Sequence, residues 1–130
     1  MNHPNKTQSE QGEPFESTEE AWFWFIQAQQ ARNDGARIVA GSSMLKRPCE
    51  PVDILSILGR LHRNRVLQRD HLLVLRHYGR RGFAPDLYRV KEARACHLWC
   101  EAMEHLSVVF LRKGIIHPRP SSFATLMAAE

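Results

Sequence analysis

Nine arginines and one lysine crowd a single stretch of this chain: Arg60, Arg63, Arg65, Arg69, Arg76, Arg80, Arg81, Arg89, Lys91 and Arg94. Only Asp70, Asp86 and Glu92 oppose them, so ten cations less three anions leave +7 over residues 59–94. The whole chain carries +4. A guanidinium presents a planar fork of donors that matches phosphate better than an ammonium does. A concentrated basic face is the expected footprint of a nucleic-acid surface, because neutralising phosphates releases bound counterions. His62, His71 and His77 lie in the same stretch and add charge below neutral pH. The plainer reading is that these arginines solvate the outer faces of helices. Some would then pair with the acidic N-terminus, where Glu10, Glu13, Glu16, Glu19 and Glu20 face Lys6 alone.

Other chemistry is sparser. Cys96, His97 and Cys100, with His105 beyond and Cys49 in a distant loop, are metal-ligand types. Structural zinc usually takes cysteines from a turn with a second pair elsewhere, and Cys96 and Cys100 have helical spacing instead. Small residues packed between helices are the simpler account of them. Glu101, Glu104 and His105 place carboxylates near a histidine, but a di-iron bundle needs Glu-x-x-His on two helices. The sequence has no H-E-x-x-H, phosphate loop, G-x-S-x-G or dinucleotide fingerprint. The expectation is a protein with no catalysis, metal or cofactor.

A chain of 130 residues suits one domain, and 43% hydrophobic with 25% charged residues is a globular composition. Ser17 and Glu20 have capping-box spacing, in which each side chain bonds the other's free backbone N–H, so the first helix is placed at 18–33. Trp22, Phe25, Ile26 and Gln29 share a face of it, and Gly35 supplies a stop. Residues 35–50 read as a loop, with a short extended piece at Arg37 to Ala40. Pro51 opens a second helix at 51–63 through Ile54, Leu55, Leu58 and Leu61. A third spans 69–78, burying Leu72, Leu73, Leu75 and Tyr78. Gly79 and Gly82 then bracket Arg80 and Arg81 in a tight connection. The last helix, 86–112 with Pro85 at its start, carries Ala95, Leu98, Trp99, Ala102, Met103, Leu106, Val109 and Phe110 at helical period. Gly114 ends it, and Ile115 and Ile116 fold back over its end. The expected architecture is all-α, a single four-helix domain over 17–120. A flexible polar tail (1–16) precedes it, and a loosely ordered tail (121–130) follows. The polar start, Met1 to Pro14, does not read as a secretory signal. No stretch approaches the roughly 18 apolar residues of a membrane helix. Three cysteines, an odd number, fit a reducing cytoplasm.

The block from Leu72 to Ile116 runs Val74-Leu75, Tyr78-Gly79, a Gly82 turn, Trp99-x-x-Ala102-Met103-x-x-Leu106 and Lys113-Gly114-Ile115. It resembles small helix-turn-helix regulators of the phage late-gene and sigma-region-4-like kind. It departs from the sigma-like pattern in lacking two separate short helices after the turn. The chain as a whole resembles a group of small alphaproteobacterial proteins through Glu20-Ala21-Trp22-Phe23-Trp24 and Arg47-Pro48-Cys49-Glu50-Pro51. The first resemblance implies a bacterial transcription regulator acting on DNA or RNA polymerase; the second implies no activity.

The expected arrangement pairs the third and fourth helices as a helix-turn-helix in the C-terminal half. Arg80 and Arg81 would grip phosphates of double-stranded DNA, and Arg89, Lys91 and Arg94 would enter the groove. The lesser alternative pairs the second and third helices through Asn64 to Gln68. Trp22, Phe23, Trp24 and Phe25 cannot all face one core from one helix. Trp22 and Trp24 are therefore candidates for a partner surface, taking RNA polymerase, a phage protein or a second copy of the chain.

Overall fold

Ser17 stops the incoming chain with its side-chain oxygen, which accepts the Glu20 backbone N–H at 3.1 Å. The return half of the expected box is shifted by one residue: the Glu20 carboxylate accepts from the Glu16 N–H at 2.7 Å. The computed structural model describes residues 12–34 and 46–118. They form α1 (Thr18–Asn33), α2 (Pro51–Arg63), α3 (Arg69–Arg81) and α4 (Ala93–Arg112), with a 3-10 turn, Val90–Glu92, leading into α4. Among the described residues there is no strand, only an isolated parallel bridge between Phe15 and Ile116. The protein is all-α. The extended piece expected at Arg37 to Ala40, the Gly35 stop and the 121–130 tail lie outside the described residues.

α1 is the central helix and touches α2, α3 and α4. This resolves the aromatic run, because a helix packed on several sides needs apolar residues around most of its circumference. Ala21, Trp22 and Phe25 are buried. Phe23 stacks on Trp99 at 5.8 Å, and Trp24 packs on Phe15 at 5.2 Å. Phe15 departs from the expectation of a flexible tail through residue 16, being only 1% exposed. Its N–H donates to the Ile115 carbonyl at 2.8 Å and its carbonyl accepts the His117 N–H at 2.9 Å. The Arg47 guanidinium sits 4.4 Å from its ring centre. Ile115 and Ile116 do fold back, and the Ile115 N–H closes on the Phe110 carbonyl at 2.8 Å.

Two boundaries and two core assignments differ from the sequence reading. α3 continues to Arg81, so Arg80 and Arg81 form its last turn, and Gly82 at φ +89° is the left-handed cap. α4 begins at Ala93, not residue 86, and Pro85 is buried in the connector rather than opening a helix. The inward stripe of α3 is His71, Leu75, Tyr78 and Gly79; Leu73 is 49% exposed because neighbours on a helix lie about 100° apart and Leu72 takes the inner position. On α2, Ile54 and Ile57 are buried while Leu55 is 49% exposed.

Gly79 is a contact point rather than a stop. A Cβ at Gly79 would lie 2.7 Å from Ile26 Cγ1 and 2.8 Å from Trp22 Nε1. Beside it, the Trp22 indole N–H donates to the Leu75 carbonyl at 3.0 Å. Gly79→Ala therefore sets a helix-propensity gain of about 1 kcal/mol against an overpacking penalty of about 1–3 kcal/mol. The expected result is a net loss of stability in urea unfolding followed by tryptophan fluorescence. A variant as stable as the parent would show that α1 and α3 have room to separate.

Candidate functional site

Glu92, 7% exposed, organises the connector between α3 and α4. Its carboxylate accepts the Asp86 backbone N–H at 2.7 Å, meets Arg89 Nη1 at 3.4 Å and lies 3.6 Å from Arg81 Nη2. The Asp86 N–H bond, then Arg81 and Arg89, holds this carboxyl below its ordinary value, against the opposing effect of burial. Arg81 is further committed, its guanidinium 4.6 Å from the Tyr78 ring centre and 4.4 Å from that of Phe83. Arg94, in the first turn of α4, reaches back to Asp70 at 2.9 Å. Of the five arginines and lysines expected to touch DNA, Arg81, Arg89 and Arg94 thus make intramolecular ion pairs. Arg80 and Lys91 make none among the described residues. Arg89 and Lys91 stand on the connector and its 3-10 turn, not on the N-terminal half of a helix.

The larger set of unpaired cations lies on α2, α3 and the turn between them. Arg60, Arg63, Arg65, Arg69, Arg76 and Arg80 are exposed, and none meets a carboxylate among the described residues. Arg69, Leu73, Arg76 and Arg80 recur at helical spacing on the outer face of α3. Leu73, Arg76, His77, Arg80 and Arg81 line a shallow concavity of about 470 Å³ there.

The turn that presents this face is short and tightly bonded. Arg65 takes the left-handed conformation at φ +63°, and the Val66 and Leu67 N–H groups both close on the Leu61 carbonyl. Leu67 is completely buried and anchors the turn to the core. The Gln68 N–H donates to His71 Nδ1 at 3.0 Å, which fixes the hydrogen on Nε2 when the ring is neutral. That N–H donates to Glu101 on α4 at 2.9 Å, and the other Glu101 oxygen lies 3.1 Å from His97 Nε2. The His71 bond, with His97 and His105 nearby, holds the Glu101 carboxyl below its ordinary value.

No family model, curated protein or solved structure matches this chain.

The remaining expected positions are placed as follows. Trp22 is not open to a partner: it is 2% exposed, with its indole bonded to Leu75. Trp24 is partly buried against Phe15. Cys96 is buried and Cys100 exposed one turn on, while His97 is occupied with Glu101. Burial and then Cys96 push the Cys100 thiol up. Cys49 is pushed up to about 11 by burial, Asp53 and Glu50. Among the described residues no three His, Cys, Asp or Glu side chains converge as a metal site. In sequence Glu92 is one of three anions in the basic stretch and carries no motif; its role appears only when the connector closes over it.

Because the folded-state value of Glu92 lies below its ordinary value near 4.5, its contribution to stability is complete above that value. It is lost as pH falls through the lower, folded value. Glu92→Gln is expected to lower the urea midpoint near pH 7 and to flatten its fall between neutral and acidic pH. Parallel curves for variant and parent would show that the Glu92 charge does not hold the connector.

Proposed function

We propose that this chain binds double-stranded DNA through the outer face of α3, presented by the α2–turn–α3 unit. The observation carrying the reading is the set of six exposed arginines, Arg60, Arg63, Arg65, Arg69, Arg76 and Arg80, that meet no carboxylate among the described residues. The acidic groups of the stretch are spent elsewhere: Asp70 on Arg94, Glu92 on Arg81 and Arg89, and Asp86 on the Tyr88 N–H. Among the described residues no intramolecular ion pair accounts for these six. The short Asn64–Gln68 link between α2 and α3 favours that pair as the helix-turn-helix. The longer connector after Gly82 disfavours pairing α3 with α4. Leu73, among the arginines, supplies an apolar contact of the kind that recognises a thymine methyl group. Control of transcription is the wider form of this proposal, and it involves no catalysis and no cofactor. An adaptor role through the first helix loses its main support with Trp22 in the core.

The test is fluorescence anisotropy with a random duplex of about 30 base pairs at several salt concentrations. Binding should weaken steeply with salt, with a logarithmic slope of about −0.9 per phosphate contact. Arg76→Ala with Arg80→Ala should cut the affinity at least tenfold and flatten the slope by roughly 2, with the fold intact by circular dichroism. Equal affinity in the double variant, or no binding by the parent at low salt, would overturn the reading.

A further inference from the structure

The connector between α3 and α4 carries an apolar surface that the α3 face does not explain. Tyr88 and Val90 are each 91% exposed, Leu87 is 66% and Phe83 52%. Four exposed apolar side chains within residues 83–90 make a concentrated apolar surface of the kind that marks an interaction site. The segment is not slack. The Tyr88 N–H donates to Asp86 Oδ1 at 2.9 Å, the Arg89 N–H to the Asp86 carbonyl at 3.2 Å, and the Glu92 N–H to the Arg89 carbonyl at 2.9 Å. Glu92 closes the base of the connector from within. The two most exposed apolar side chains are thus held out by a bonded frame, which lowers the entropy lost on binding.

Their neighbours indicate the occupant. The order is Tyr88-Arg89-Val90-Lys91, apolar and cationic in alternation. Arg89 is 68% exposed on its side chain, and Lys91 is exposed with no carboxylate partner among the described residues. The only acids of the segment, Asp86 and Glu92, are engaged within it. A surface that is apolar at its tip and positive at its flanks complements a polyanion with apolar material between its charges. A base step between two phosphate chains has that character: side chains wedge against the bases while cations hold the flanking phosphates. The connector also leaves the C-terminal end of α3, where Arg81 stacks on Phe83, and so borders the arginine face.

We infer that the tip of this connector is a second DNA-contacting element. Tyr88 stacks on, and Val90 wedges against, the bases of the duplex bound by α3, and Lys91, which meets no carboxylate among the described residues, pairs with a flanking phosphate. The inference rests on the DNA-binding reading above and adds an apolar contact to an otherwise electrostatic one.

The full chain carrying Tyr88→Ala and Val90→Ser is titrated with the same duplex across the same salt series. Stacking and wedging contacts predict a loss of affinity of about 5- to 30-fold at every salt concentration. The salt slope should be unchanged, because no cation is removed. Val108→Ser, which alters an apolar side chain 61% exposed on α4, should leave the affinity as it was. Thermal unfolding checks that the double variant folds, as expected for side chains that pack against almost nothing. Parental affinity in the double variant, or an equal loss in Val108→Ser, overturns the inference while leaving the arginine face standing. Absence of binding by the parent overturns both. Sedimentation with phosphatidylcholine–phosphatidylserine vesicles provides the opposing arm. Vesicle binding that needs Tyr88 and Val90, with DNA affinity independent of them, would assign the tip to an anionic lipid surface and overturn the inference.

Discussion

The approach of α3 to α1 at Gly79 governs the geometry of everything outside it. With no Cβ at that position, Ile26 and Trp22 pack directly against the α3 backbone, and the Trp22 indole reaches the Leu75 carbonyl. That bond satisfies the one polar group of a side chain that is otherwise wholly apolar in its contacts. With α1 in the middle, the aromatic residues that look excessive for a single helix each find a separate neighbour. Fixing the inner face of α3 on α1 also fixes which residues it turns outward: Arg69, Leu73, Arg76 and Arg80.

Two polar clamps then tie α3 to α4. At one, His71 accepts the Gln68 N–H and donates to Glu101. At the other, Glu92 gathers Arg81, Arg89 and the Asp86 N–H. Both use a carboxylate whose ionised form is favoured by its partners, the shortest contacts being the Asp86 N–H to Glu92 at 2.7 Å and His71 to Glu101 at 2.9 Å. Their consequence for the surface is a sorting of the arginines. Arg81, Arg89 and Arg94 pair with Glu92 and Asp70, and Arg60, Arg63, Arg65, Arg69, Arg76 and Arg80 meet no carboxylate among the described residues. A net excess of charge in the sequence becomes, through this sorting, a directional one.

Much of this was legible in the residues. Period and caps placed α1 and α2 correctly because Ser17 and Pro51 are strong local signals. The C-terminal return of Ile115 and Ile116 followed from Gly114. The failures share a cause, which is that tertiary contact decided against local preference. Gly79 looked like a terminator, since nothing in sequence distinguishes a glycine that ends a helix from one that lets another helix approach. Pro85 looked like a helix start, yet Glu92 draws the preceding residues into a bonded connector and delays α4 to Ala93. Phe15 looked like part of a polar tail because its partners, Ile115 and His117, lie a hundred residues away. The basic cluster was visible from composition alone. Which arginines are free was not, because ion pairing depends on which carboxylates the fold brings near.

The central claim is that α3 presents the free arginines as one binding face. The most direct measurement is a titration of ¹⁵N-labelled protein with a short duplex, following assigned backbone amide shifts. The account expects the largest changes at Arg69, Leu73, Arg76 and Arg80, continuing into the Asn64–Gln68 turn, with the buried face of α1 unmoved. Changes confined to α4 or the N-terminal residues, or spread evenly over all four helices, would contradict it.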